Sequence, residues 1–390
     1  MSGAGLAAAL LLSALGRASE PVRADAGDPA AAEVEAAIEA GVRWLVENQR
    51  PDGAFGSHHT RRPIEVLADV PGSHDAFRVA TTALCVMALA KLGEGSEAAE
   101  RAHERALDGL LRDFDVKRVD GTEHYNVWAF GYALQAFGEH LTRHPEDPRA
   151  GPLRAACERL VDKLGRYQDL DGGWGYLSLA PVRTYRPSFT SMSFTTATVL
   201  VGLERAAEAG VDVPERMLDR ALDCLARCRT PLGAFTYGPL WNRAPVAEIN
   251  LGKGSACRTP ACLLALDLHG RELEGGTSFR DAYRRALEEL LVEYARFQVV
   301  ALRRPIPHES WYGISGYFYL YGTYYAALAL DELDDPGRHR FAGPLARAVL
   351  RTRQPDGSFW DYPLYSYHKA YGTAYALLAL ARARVAADGG

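Results

Sequence analysis

The sequence predicts an all-α fold, an (α/α)6 toroid of six helical hairpins. Three observations carry this: amphipathic and nearly all-apolar segments alternate six times, a short glycine-aromatic motif lies between them, and the motif returns at a near-constant period. No stretch has the strict two-residue alternation of a half-buried strand.

The amphipathic segments are 32–48, 98–113, 150–167, 214–228, 281–298 and 341–353. In the first, Val34, Ala37, Ile38, Val42, Leu45 and Val46 recur at helical spacing while Glu and Arg take the opposite face, as on a helix with one wet side. Each is followed by an apolar segment with a Thr, or once Val, six residues before Ala-Leu or Gly-Leu. The copies start at Thr82, Val127, Thr196, Thr259, Thr323 and Thr373. Helices with no polar face must be buried all round, and the closed arrangement that buries six inside six is a toroid.

Between outer and inner helices an amide or basic residue is followed by three spacers, a glycine, one spacer and an aromatic. The copies are Gln49/Gly53/Phe55, Gln168/Gly172/Trp174, Arg229/Gly233/Phe235 and Arg353/Gly357/Phe359, spaced by 119, 61 and 124 residues. The long gaps are twice the short one, so a unit of about 60 residues repeats and two copies, near Phe114 and Gln298, have lost the motif. The glycine supplies the left-handed backbone that leaves a helix, and the aromatic packs under the next one. Asp52, Asp171 and Asp356, just before the glycines, read as turn residues.

This joint in a six-hairpin chain resembles the prenyltransferase and squalene-cyclase repeat superfamily over about residues 32–385. The resemblance implies the toroid but not a reaction. Squalene-type cyclases protonate a polyene with an aspartate of a DxDD-T-A motif; the aligned positions here hold Ala80-Thr81, Phe194-Thr195 and Cys257-Arg258. Protein prenyltransferases hold zinc with Asp-x-Cys and His, and those positions are Leu320, Gly322 and Gly372. The CGEQ stretch of complement-type thioester domains does not occur. No cofactor or metal is therefore expected from the resemblance.

With 390 residues, 48% of them hydrophobic, and a net charge of -5 without a basic stripe, the chain has material for a large core and none for a nucleic-acid backbone. Residues 1–26 hold an apolar run, Gly3 to Gly16, and then Ala24-Asp25-Ala26, which reads as a signal peptide or an Ala-rich disordered tail. The run is too short to span a bilayer. Export to the periplasm or the extracellular space is the expectation, with 27–390 as one toroid domain. The six cysteines lack paired CxxC spacing and read as core residues.

Polar and aromatic residues gather where the inner helices begin, and in a toroid these ends converge on one mouth. The candidates for chemistry are His74, Asp75, Arg258, His308 and Glu309. His74 and Asp75 either cap a helix or touch ligand, whereas Arg258 inside an apolar segment needs a partner or a polar cavity. Cavity-lining candidates are Arg78, His124, Tyr125, Trp128, Arg186, Lys253, Cys257, Tyr312, Tyr321, Tyr324 and His368. Together they suggest an aromatic interior with a basic mouth, suited to an amphipathic isoprenoid- or lipid-like ligand. A carbohydrate-active toroid (polysaccharide lyase or hydrolase) and a non-catalytic scaffold or protein-binding module are the alternatives.

Overall fold

The alternation of wet and dry segments becomes an alternation of outer and inner helices. In a computed structural model, the structure describes residues 29–56, 71–117, 125–176, 190–244, 246–296, 318–362 and 367–387. Among these are thirteen α-helices and no strand; single β-bridges join Arg229 to Phe235 and Arg353 to Phe359 within two of the joints. The outer helices are α1 (Ala31–Asn48), α3 (Glu97–Asp113), α5 (Ala150–Tyr167), α7 (Glu215–Arg227), α10 (Phe279–Arg296) and α12 (Asp335–Leu350). The inner ones are α2 (Pro71–Leu92), α4 (Asn126–Arg143), α6 (Ser193–Glu208), α9 (Thr259–Leu268) with the single turn α8 (Gly252–Ser255) before it, α11 (Phe318–Ala329) and α13 (His368–Ala387).

Two starts differ from the sequence reading. α12 begins six residues before 341, because Asp334 caps it by accepting the Gly337 N–H at 3.1 Å and Pro336 sits in the first turn, where a missing N–H costs nothing. α2 begins at Pro71, so His74 and Asp75 lie inside the helix and are not its cap.

Each inner helix touches the next, α2 on α4, α4 on α6, α6 on α9, α9 on α11, α11 on α13, and α13 returns to α2. The ring is closed. Outside it α3 packs on α2, α5 on α4, α7 on α6, α10 on α9, α12 on α11 and α13, and α1 on α13 and α2.

The joints tie this ring together. Gln49 Nε2 donates to Gly53 O within its own turn and to Ala102 O of α3, while Arg105 of α3 donates to the Gln49 side-chain oxygen. Gln168 repeats the pattern with Gly172 O, Met217 O of α7 and Arg220. Each glutamine thus clasps the next outer helix. The joint aromatics Phe55, Trp174, Phe235 and Phe359 are fully buried, each contributing about 2–3 kcal/mol of apolar burial. The backbone N–H groups of Phe55, Trp174 and Phe359 donate to the inner-helix hydroxyls of Thr82, Thr196 and Thr373. The two sequence motifs are the two halves of one contact. Asp52 and Asp356 accept the N–H two residues on, as turn residues do.

At the middle of the ring, the described residues form a buried cluster of tyrosines. The hydroxyls of Tyr132 and Tyr375 meet across it, Tyr321 donates to Phe194 O at 3.1 Å, and the Tyr321 and Tyr325 hydroxyls both reach Thr198 Oγ1 at 3.2 Å. Gln135 Nε2 closes the network on Thr198 O. Buried phenols need partners, and here they find them in one another.

Candidate functional site

All inner helices start on the same face, and the described residues there form an aromatic cup-like cluster above the tyrosine floor. Phe77 comes from α2, Tyr125 and Trp128 from the start of α4, Phe194 from α6, Phe318 and Tyr321 from α11, and Tyr371 from α13. The joints add Tyr176 and Tyr237. The rings form one continuous wall: Tyr125 stacks on Tyr176 at 5.4 Å, Trp128 on Phe194 at 5.9 Å and on Tyr132 below it at 6.1 Å. Phe194 meets Phe318 edge-on at 4.9 Å and Tyr237 at 5.1 Å, and the Tyr176 and Tyr237 hydroxyls hydrogen-bond at 2.7 Å. Phe77, Tyr125, Trp128, Tyr176, Tyr237 and Tyr371 are only half-buried, unlike the rings below them.

The repeat exposes a residue that sequence reasoning missed. Tyr176 and Tyr237 both stand two positions after the joint aromatic, and after Phe359 that position is Asp361. Its side chain is fully buried. Oδ2 accepts the Leu320 N–H in the first turn of α11 at 2.9 Å; Oδ1 accepts the Tyr362 N–H at 2.7 Å and faces the Tyr371 hydroxyl at 3.4 Å. Burial outweighs these donors and pushes its pKa up to about 7. The signal was available in the register of the motif.

Of the expected chemical residues, His74 and Arg258 are firmly placed. The Tyr367 hydroxyl donates to His74 O at 3.1 Å and lies 3.2 Å from its Nδ1. Arg258 is enclosed: Nε donates to Phe235 O at 2.9 Å, Nη1 to Gly254 O at 2.7 Å, Nη2 to Ile249 O, and the guanidinium lies over the Tyr237 ring. Burial lowers its pKa to about 10. It clamps the segment between the Arg229 joint and α9. A void of about 10 Å³, room for one water, separates it from Phe194, Tyr237 and Phe318. Asp75 is exposed at the rim. His308 and Glu309 lie outside the described residues.

Among the lining candidates, Tyr125, Trp128 and Tyr321 belong to the cup. Tyr324 does not: it is fully buried beyond the floor, where Glu139, Arg382, Arg205 and Arg143 act on it. Arg78 is committed to Asp52 at 3.5 Å and Asp113 at 3.4 Å, and Lys253 pairs with Glu248 at 3.0 Å. Cys257 is buried behind the wall with its sulfur 3.5 Å from the Tyr294 hydroxyl, and burial pushes the thiol up to about 12. His368 is buried against Trp360, ring centres 4.9 Å apart. His124, Arg186 and Tyr312 lie outside the described residues. All six cysteines are buried and free. No three His, Cys, Asp or Glu side chains among the described residues are grouped to hold a metal ion, and no described helix is long and apolar enough to cross a membrane.

No family model matches the chain, and neither does any curated protein. Solved structures do share its fold. The type II terpene cyclase MstE from Scytonema, as a variant in complex with its substrate geranylgeranyl dihydroxybenzoate, is similar with a TM-score of 0.52 at 16% identity, over 91% of this chain and 98% of that one. The α-1,6-mannanase GH76A of Salegentibacter sp. HEL1_6, an inactive variant with α-1,6-mannotriose, gives 0.53 at 11% identity over 90% and 99%. A possible GH105 family member from Klebsiella pneumoniae gives 0.53 at 14% over 94% and 97%. At these identities the likeness shows the toroid alone, shared equally by isoprenoid and carbohydrate enzymes.

Proposed function

We propose that the chain binds an amphipathic, isoprenoid-like molecule, with its hydrocarbon in the aromatic cup and its polar end at the rim near His74 and Asp75. The observation that carries this is the continuous wall of rings, six of them half-buried, closed below by hydrogen-bonded tyrosines. Such a surface gains about 25 cal/mol for each Å² of apolar contact, and its ring faces stabilise a cation. Leu240, Trp241, Val246 and Leu251, exposed in the segment after Tyr237, carry apolar surface from the wall onto the rim. A hydrophobic rim suits a hydrocarbon better than a sugar.

Rings also stack on sugars, and the mannanase bears on this chain as much as the cyclase does. Hydrolysis of a glycoside ordinarily uses two carboxyl groups on opposite sides of the scissile bond. The described wall residues apart from Asp361 are aromatic, which favours the isoprenoid reading. Asp361 lies behind Tyr371, fully buried, and faces the Tyr371 hydroxyl. We also propose that residues 1–26 are a signal peptide, which N-terminal sequencing of the mature chain from its native host checks.

The purified protein is to be incubated with a total lipid extract and a panel of oligosaccharides, and the retained molecules identified by mass spectrometry. Retention of isoprenoid lipids is expected. Retention of sugars alone overturns the reading, and retention of neither assigns the chain to the scaffold class.

A further inference from the structure

At the opposite end of α4 from the cup, about 18 Å from Trp128 at 1.5 Å per residue, three histidines meet. His140 is in the last turn of α4, His144 follows one turn later, and His103 comes from α3. His103 and His140 are 8% and 5% exposed. One nitrogen of each is held by a carboxylate: His140 Nε2 lies 3.0 Å from Asp147 Oδ2, and His103 Nδ1 lies 3.5 Å from Glu104 Oε1. The other nitrogens, His103 Nε2 and His140 Nδ1, are buried without a hydrogen-bond partner. All three histidines line the same void of about 10 Å³.

An orphaned buried nitrogen is destabilising, and two beside one void call for a shared partner. A carboxylate on one imidazole nitrogen with the other free is the arrangement that orients a metal-ligating histidine. The spacing agrees. A metal–nitrogen bond of about 2.0–2.1 Å places two imidazole centres about 5 Å apart on a tetrahedral ion; the observed separations are 5.7 Å for His103 and His140 and 4.9 Å for His140 and His144.

We propose that a divalent transition-metal ion binds between His103 and His140, with His144 turning in as third ligand and fastening α3 to the end of α4. His144 is exposed and lines the void from its outer side, and the three rings do not yet form a three-ligand group. Arg143 also lines the void, and its ion pair with Glu139 at 3.1 Å offsets its charge.

The test uses the full chain stripped with chelator and dialysed against zinc or cobalt(II). One tightly held equivalent, a higher Tm, and the visible bands of four-coordinate cobalt are expected. His140→Gln should abolish binding, His144→Gln should weaken it about tenfold or more while leaving the metal-free fold intact, and exposed His339→Gln should leave it unchanged. Absence of stoichiometric binding to the wild-type chain overturns the proposal, with a trapped water as the orphans' partner. So does an equivalent that survives in both His103→Gln and His140→Gln, or an unchanged affinity and cobalt spectrum in His144→Gln.

Discussion

Arg258 donates to three backbone carbonyls, those of Phe235, Gly254 and Ile249, and its replacement removes all three bonds from a largely buried segment. Arg258→Met should therefore lower stability by about 3 kcal/mol, measured by denaturant unfolding, and change ligand retention less than it changes stability. Asp361 makes a different prediction. Its folded pKa lies above that of an unfolded aspartate, so its contribution is full at acid pH and is lost as pH rises towards 7. Asp361→Asn should remove that fall from the stability profile, since its amide oxygen can still accept the Leu320 N–H. For His103 and His140 the sign reverses. Burial lowers both pKa values, so the metal-free fold favours neutral rings and loses stability as pH drops below about 6.5. Thermal unfolding of chelated protein across pH 5–8 should show this loss, smaller in His140→Gln.

The joint is where sequence and structure correspond most closely, because its parts are constrained locally. Gly53, Gly172, Gly233 and Gly357 all have left-handed φ, between 86° and 101°. They differ in surroundings. A Cβ on Gly172 would stand 2.2 Å from Arg220 O of α7, whereas one on Gly233 meets nothing within 4 Å. Gly233→Ala should cost the backbone strain alone, about 1–2 kcal/mol, and Gly172→Ala roughly 3 kcal/mol or more. Equal losses in the two variants would refute the close packing of joint on outer helix. The repeat unit, the helix alternation and the burial of the joint aromatic were all legible from spacing. That Gln49 and Gln168 reach the next outer helix was not, since Ala102 and Met217 lie 53 and 49 residues away.

Across the whole molecule, closure is visible in one contact: a Cβ on Gly357, in the last joint, would meet Ala40 O of α1 at 2.9 Å, the same kind of contact that Gly172 makes with α7. The toroid followed from the sequence because apolar segments without a wet face leave few arrangements. The tyrosine contacts at its middle did not, because the tyrosines of α4, α11 and α13 are far apart in the chain and only the ring's radius brings their hydroxyls together. Arg258 was singled out correctly as an anomaly, yet its partners are backbone atoms that carry no sequence signal. His140 and His144 stand at helical i, i+4 spacing, but His103 joins them only through the packing of α3 on α4.

The central claim is that ligand enters the cup rather than an outer groove such as the one of about 720 Å³ lined by Ile38, Val42, Val46 and Leu92. Photolabelling with a diazirine-bearing polyprenol, followed by peptide mapping, tests it directly. Adducts on Trp128, Phe194, Tyr237 or Tyr321, suppressed by excess unlabelled polyprenol, are predicted; adducts concentrated on α1 and the end of α2, or spread without competition, would contradict the account.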